Sequence, residues 1–108
     1  MFVHKDLAAG RWGELSLNAQ LGNVGSEVSR LLNRMKNGNS IAAQQTFERA
    51  LELIDLTVFF AERYPVLKEI CRLRECFIQA YMEKNNQELE YINTYLYYFA
   101  YAERNKIK

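Results

Sequence analysis

The sequence predicts an all-α protein, an antiparallel up-down-up-down four-helix bundle with an apolar N-terminal arm. Three observations lead there. Apolar residues recur at spacings of three and four in four successive stretches of about twenty residues, the period that gathers them on one side of an α-helix. Short turn signals, Asn37-Gly38-Asn39, Tyr64-Pro65 and Lys84-Asn85-Asn86, separate the stretches. No run alternates apolar and polar residues as a half-buried strand would. Helices of this length joined by such short turns place sequence neighbours antiparallel.

The first helix spans about residues 16–36, with Leu17, Leu21, Val24, Val28, Leu31 and Met35 on one stripe and Ser16 as its N-cap. Gly38 and its asparagine neighbours tolerate the left-handed conformation that ends helices, and Ser40 is placed to cap the next one. The second helix, about 41–63, turns Ala43, Phe47, Ala50, Leu51, Ile54, Val58 and Ala61 inward. Pro65 closes it, since the residue before proline is pushed out of the α region and proline itself suits the first turn of a helix. The third, about 65–84, carries Val66, Ile70, Leu73, Phe77 and Tyr81 inward. The fourth, about 87–105, carries Ile92, Tyr95, Leu96, Phe99 and Ala102, with Arg104, Lys106 and Lys108 at the end the helix dipole favours. Ahead of them, Phe2, Val3, Leu7, Trp12 and Leu15 are too apolar for a free tail, so this arm is expected to pack on the bundle or on a partner subunit.

At 108 residues there is room for one domain, and 49% hydrophobic with 25% charged residues is ordinary globular composition. A net charge of +1 gives no global pull toward nucleic acid or anionic membrane. The opening MFVHKDLAAG has no apolar core of a secretory signal. The most apolar stretch, Leu53 to Ala61, is short and contains Asp55, so no membrane span is expected. Cys71 and Cys76 lie five apart on one helix and cannot bridge, and free thiols indicate a cytoplasmic location.

The usual catalytic groupings are missing from the sequence. His4 is the only histidine, so a nucleophile paired with histidine would depend on the least regular segment. One histidine and two helical cysteines cannot complete a tetrahedral zinc site, and no Glu-x-x-His pattern of a di-iron bundle occurs. Gly22-x-x-Gly25 lies inside a helix and makes no phosphate loop. No catalytic residue, metal or cofactor is therefore assigned.

Other patterns point to contact rather than chemistry. Gly22, Gly25, Ser26, Ser29 and Asn33 form a small-residue stripe, read as a close helix crossing or a contact with a second subunit, the arm or a ligand. Another face carries Gln20, Asn23, Glu27, Arg30 and Arg34; either it is solvated, or Asn23, Glu27 and Arg30 form a polar recognition surface. Glu48, Glu52 and Asp55 face the cations Lys68, Arg72 and Arg74, favouring an interhelical salt-bridge seam over a metal site. Leu53, Leu56 and Phe60 form a second apolar edge on the second helix, enclosed by neighbours or left as a subunit interface. The fourth helix places Tyr91, Tyr95, Tyr97, Tyr98, Phe99 and Tyr101 around its circumference, with Tyr97 and Tyr101 opposite the core and Arg104 beside them. Such tyrosines suit an interface, the core rim, or stacking on single-stranded RNA bases.

The strings LSLNAQLGNVGSEVSR and RALELIDLT, with the opening Met1 to Trp12 and the Leu73-Arg74-Glu75 region, resemble a family of short bacterial and archaeal proteins without an assigned activity. That resemblance covers most of the chain and implies prokaryotic origin; it transfers no catalytic residue. Helix count and size are more loosely similar to the HEPN superfamily of prokaryotic helical bundles, many of them RNases or toxin partners using an Arg-x4-6-His motif. Here His4 precedes every arginine, so the motif is absent.

Together these features lead to a non-enzymatic bundle acting through protein–protein association. The expected form is a homodimer using Tyr97, Tyr101, Leu53, Leu56 and Phe60, with Asn23, Glu27 and Arg30 as a polar recognition face. The alternative is a HEPN-like RNA-binding or toxin–antitoxin accessory protein without the catalytic motif.

Overall fold

The computed structural model describes residues 10–105; Phe2, Val3, His4, Leu7, Lys106 and Lys108 lie outside the described residues. A 3₁₀ turn, Trp12–Glu14, leads into four helices: α1 (Leu17–Lys36), α2 (Ser40–Phe60), α3 (Tyr64–Met82) and α4 (Asn86–Asn105). Polar side chains start three of them. Ser16 Oγ accepts the Ala19 N–H at 3.1 Å, Asn39 Oδ1 that of Ala42 at 3.1 Å, and Asn85 Oδ1 that of Glu88 at 3.0 Å. Asn39 therefore takes the cap expected of Ser40, which becomes the first residue of α2. At α3, Pro65 occupies the first turn, where its missing N–H costs nothing.

α1 and α3 end in the same way. The N–H of Gly38 reaches the Met35 carbonyl at 3.2 Å and that of Asn39 the Arg34 carbonyl at 3.0 Å; Lys84 and Asn85 repeat this on Tyr81 and Ala80 at 3.0 and 2.9 Å. These paired bonds satisfy the last carbonyls and require a left-handed residue between cap and loop. Gly38 supplies it at φ 74°, but Lys84 is forced to φ 53°. Replacing Lys84 by Gly is expected to stabilise the fold by about 0.5–1 kcal/mol, the left-handed penalty less the added chain entropy of glycine. A urea titration measures this, and a lowered midpoint would mean that the Lys84 side chain itself supports the turn.

α2 stops at Phe60, three residues short of the boundary expected from the sequence. Arg63 is extended, at φ −114° and ψ 132°, as the residue that starts α3, so Ala61–Arg63 is consumed in reversing the chain.

The helices pack in a ring in chain order, α1 lying against both α2 and α4. Positions rising along α1 meet positions falling along α4: Gly22 faces Ala100, Gly25 faces Leu96, Ser29 donates to Asn93 and Lys36 pairs with Glu90 at 2.8 Å. The crossing is close. A Cβ on Gly25 would stand 3.0 Å from the Leu96 Cβ, and one on Gly22 would stand 3.1 Å from the Ala100 Cα. The small-residue stripe is thus the track of α4 across α1, the first of its two readings.

Val24, Val28 and Leu31 from α1, Ala50, Ile54 and Leu56 from α2, Phe77 from α3 and Leu89 and Leu96 from α4 form the solvent-free centre. Phe47 stacks between Phe77 and Tyr81, with centroids 5.1 and 4.0 Å away. Ala80 and Leu89 are buried although the stripes did not include them, whereas Tyr95 and Ala102 are exposed although they were expected inside. Tyr95 lies on the flank of α4 toward α3, where the two helices leave a groove of about 220 Å³ that also admits Leu73, Cys76 and Tyr91. Among the described residues, no helix is long and apolar enough to cross a membrane.

Candidate interaction surfaces

The second apolar edge of α2 is covered by the chain itself. Trp12, 2% exposed, packs beside α2 and donates its indole N–H to Thr57 Oγ1 at 2.9 Å, while Thr57 passes its own proton to the Leu53 carbonyl at 2.8 Å. From α1, Gln20 Nε2 donates to the Trp12 carbonyl at 2.8 Å, tying the 3₁₀ turn across both helices. Leu53 and Leu56 are consequently 5% and 2% exposed, and Phe60 is half-buried with its ring over Gly13. Their assignment to a subunit interface is corrected: Leu53 and Leu56 are core, and Phe60 seats the N-terminal segment. The signal was present in Thr57, a hydroxyl on an otherwise apolar edge that needs a donor, and in Trp12, whose N–H needs an acceptor.

The outer face of α4 is open. Tyr91, Tyr97, Tyr98 and Tyr101 are each between 51 and 65% exposed. Tyr97 lies 6.4 Å from Tyr101 at 32° and 6.1 Å from Tyr98 at 69°, with the Arg104 guanidinium 5.9 Å above its ring. No charged side chain occurs from Tyr91 to Ala102. On the flank toward α3, the phenol of Tyr95 has its pKa raised, first by its partial burial in the groove and then by the negative charge of Glu69.

The polar face of α1 is rearranged by α2. Asn23 turns back on its own helix, donating to the Ala19 carbonyl at 2.8 Å, and Gln20 is buried beneath Trp12. Glu27 and Arg30 do come together, at 3.0 Å, but the carboxylate is largely buried and its other oxygen faces Arg49 of α2 at 3.8 Å. Sequence reading did not group Arg49 or Thr46 with this face. Arg34 Nη1 donates to Thr46 Oγ1 at 2.7 Å and Arg49 Nη2 to the same oxygen at 3.3 Å, so two arginines share one buried hydroxyl. Only the antiparallel pairing of α1 with α2 brings these residues together.

Of the expected acidic seam, Asp55 binds Arg74 of α3 at 2.6 Å, while Glu48 accepts from Gln44 on its own helix. Among the described residues no three His, Cys, Asp or Glu side chains could hold a metal. Cys71 and Cys76 are free and exposed. At the end of the bundle where the α1–α2 and α3–α4 turns meet, Met35, Ala43, Tyr81, Met82 and Lys84 border an open cleft of about 390 Å³.

These features define a small all-α bundle with one aromatic face and one arginine cluster. Compared with known protein families, curated proteins and solved structures, the chain matches none.

Proposed function

We propose that the protein is a non-enzymatic, cytoplasmic helical bundle that acts by protein–protein association, as a homodimer through the outer face of α4. The observation that carries this reading is the exposure of Tyr91, Tyr97, Tyr98 and Tyr101 on a stretch without charge. Tyrosine joins a large apolar area to a polar tip, and charge depletion is the compositional mark of an interface core. The two exposed, unbridged cysteines support a reducing compartment.

Replacing Tyr97 and Tyr101 together by Ser is expected to convert a dimer into a monomer with unchanged helical circular dichroism, because neither ring is in the core. Light scattering during gel filtration measures the mass. A wild-type monomer would defeat the homodimer, and loss of helicity in the variant would make the rings part of the fold. The RNA reading rests on Arg104 over the Tyr97 ring, the pairing of cation and stacking platform used on single strands. The same run at low and high salt tests it, since co-eluting nucleic acid lost at high salt would favour RNA over dimerisation.

A further inference from the structure

We infer that the arginine cluster at the α1–α2 contact is a binding site for a single phosphate group of a small phosphorylated ligand, held by Arg34 and Arg49 and flanked by Arg30. The inference is independent of α4, which crosses the glycine side of α1.

The geometry begins with Thr46. Its hydroxyl proton goes to the Ala42 carbonyl at 2.8 Å, so the oxygen offers only lone pairs, and both arginines donate to it. Bonds of 2.7 and 3.3 Å to one atom hold the two donor nitrogens no more than about 6 Å apart. A neutral oxygen does not offset two positive charges brought that close.

The one carboxylate within the cluster is already engaged. Glu27 pairs with Arg30 through Oε2, and its Oε1, buried and without a hydrogen bond, lies 3.8 Å from Arg49 Nε. Arg34 has no carboxylate partner among the described residues. Two of the three guanidiniums share the Glu27 carboxylate and the third has only the Thr46 hydroxyl among the described residues, and Arg30 and Arg49 remain partly exposed. Each guanidinium carries five N–H donors, of which the protein uses one or two here.

An anion that engages both Arg34 and Arg49 must present more than one pair of acceptor oxygens. A carboxylate presents one coplanar pair of oxygens, which matches one guanidinium fork, whereas a tetrahedral phosphate offers separate oxygen pairs to two forks. The negative Glu27 Oε1 places it toward the Thr46 side of the cluster. The site accommodates one phosphate rather than a nucleic-acid backbone. Lys36, the next cation along α1, is paired with Glu90, and Glu48 and Glu52 follow on α2, so among the described residues no basic track leads away.

The test is a proton–nitrogen NMR titration of the full chain with inorganic phosphate at constant ionic strength, with sodium chloride as the reference. Saturable shifts are expected at residues 30–34 and 46–49 with none along α4. Arg34→Gln and Arg49→Gln should each weaken binding at least about tenfold, as loss of a charge-assisted hydrogen bond predicts. Arg34→Lys keeps the charge and loses the fork, so it should weaken binding too, and it serves if Arg34→Gln fails to fold. An equal response to chloride, no saturation, or wild-type binding by the folded Arg34 and Arg49 variants would overturn the site. Binding of a ten-nucleotide single strand without any response to phosphate would also overturn it, in favour of nucleic acid.

Discussion

Trp12→Ala is expected to lower the unfolding free energy by about 3–5 kcal/mol, the usual cost of removing a large buried aromatic side chain. Two losses add. The ring is almost fully buried against α2, and its N–H supplies the donor to Thr57, whose hydroxyl would be left buried with an unused acceptor position. The bond from the Gln20 side-chain amide to the Trp12 carbonyl needs no indole and survives the substitution, but the turn it holds would have lost its anchor. Trp12→Phe separates the contributions, keeping most of the apolar area and giving up only the indole donor, for an expected cost of about 1–2 kcal/mol. Trp12 is the only tryptophan, so its fluorescence follows unfolding of the wild type, and circular dichroism in urea must follow both variants. A loss below about 1 kcal/mol for Trp12→Ala would show that the N-terminal segment is an accessory to the bundle rather than its cover.

Gly22→Val combined with Gly25→Val is expected to cost about 3 kcal/mol or more, from overpacking at the α1–α4 crossing. The opposing term is small, because valine is a better helix former than glycine by only a few tenths of a kcal/mol at each site. Even a bare Cβ at these positions meets Leu96 and Ala100 at 3.0–3.1 Å, and at Gly22 the nearest atoms include α4 backbone. Valine adds two methyl groups beyond that Cβ, so α4 must move outward. The helix would then withdraw Leu89, Ile92 and Leu96 from the centre they fill. Urea titration gives the free energy, and hydrogen exchange locates the change, with faster exchange along α4 than along α3 as the expected pattern. A wild-type midpoint would mean that α4 approaches α1 less closely than 3 Å contacts require.

Much of the fold was legible because helices are local objects. The period of three and four in Leu17 to Met35 marks a helix wherever that segment sits, and Ser16, Gly38 and Pro65 act on the backbone within a few residues of themselves. Even the departures at the ends are local competitions: Asn39 supplies the cap in place of Ser40, and the extended Arg63 shortens α2. The exposed tyrosines of α4 were legible for a related reason. Tyr97 and Tyr101 fall opposite the core stripe by their spacing alone, whereas the exposure of Tyr95, expected inside, was decided by the packing of α4 on α3.

The site residues were less legible. Leu53 and Leu56 have the same spacing whether a second molecule or Trp12 covers them, and Trp12 is 45 residues away from Thr57 in the chain. Glu27 and Arg30 could be paired from their spacing on one helix, but Arg49 and Thr46 join them only across the α1–α2 contact. Asn23 shares the spacing of Glu27 and Arg30 yet bonds the carbonyl of Ala19 on its own helix.

The sequence by itself determined four amphipathic helices, their order and most of their ends, and a fourth helix with tyrosines around its circumference. Tertiary structure alone decided that the glycine stripe receives α4, that the N-terminal tryptophan closes the second edge of α2, and that arginines from two helices meet on one threonine. The division follows from the range of the forces. Backbone hydrogen bonding and side-chain period act within one or two turns, whereas burial and the meeting of charges depend on which surfaces are brought within a few ångströms by the packing of whole helices.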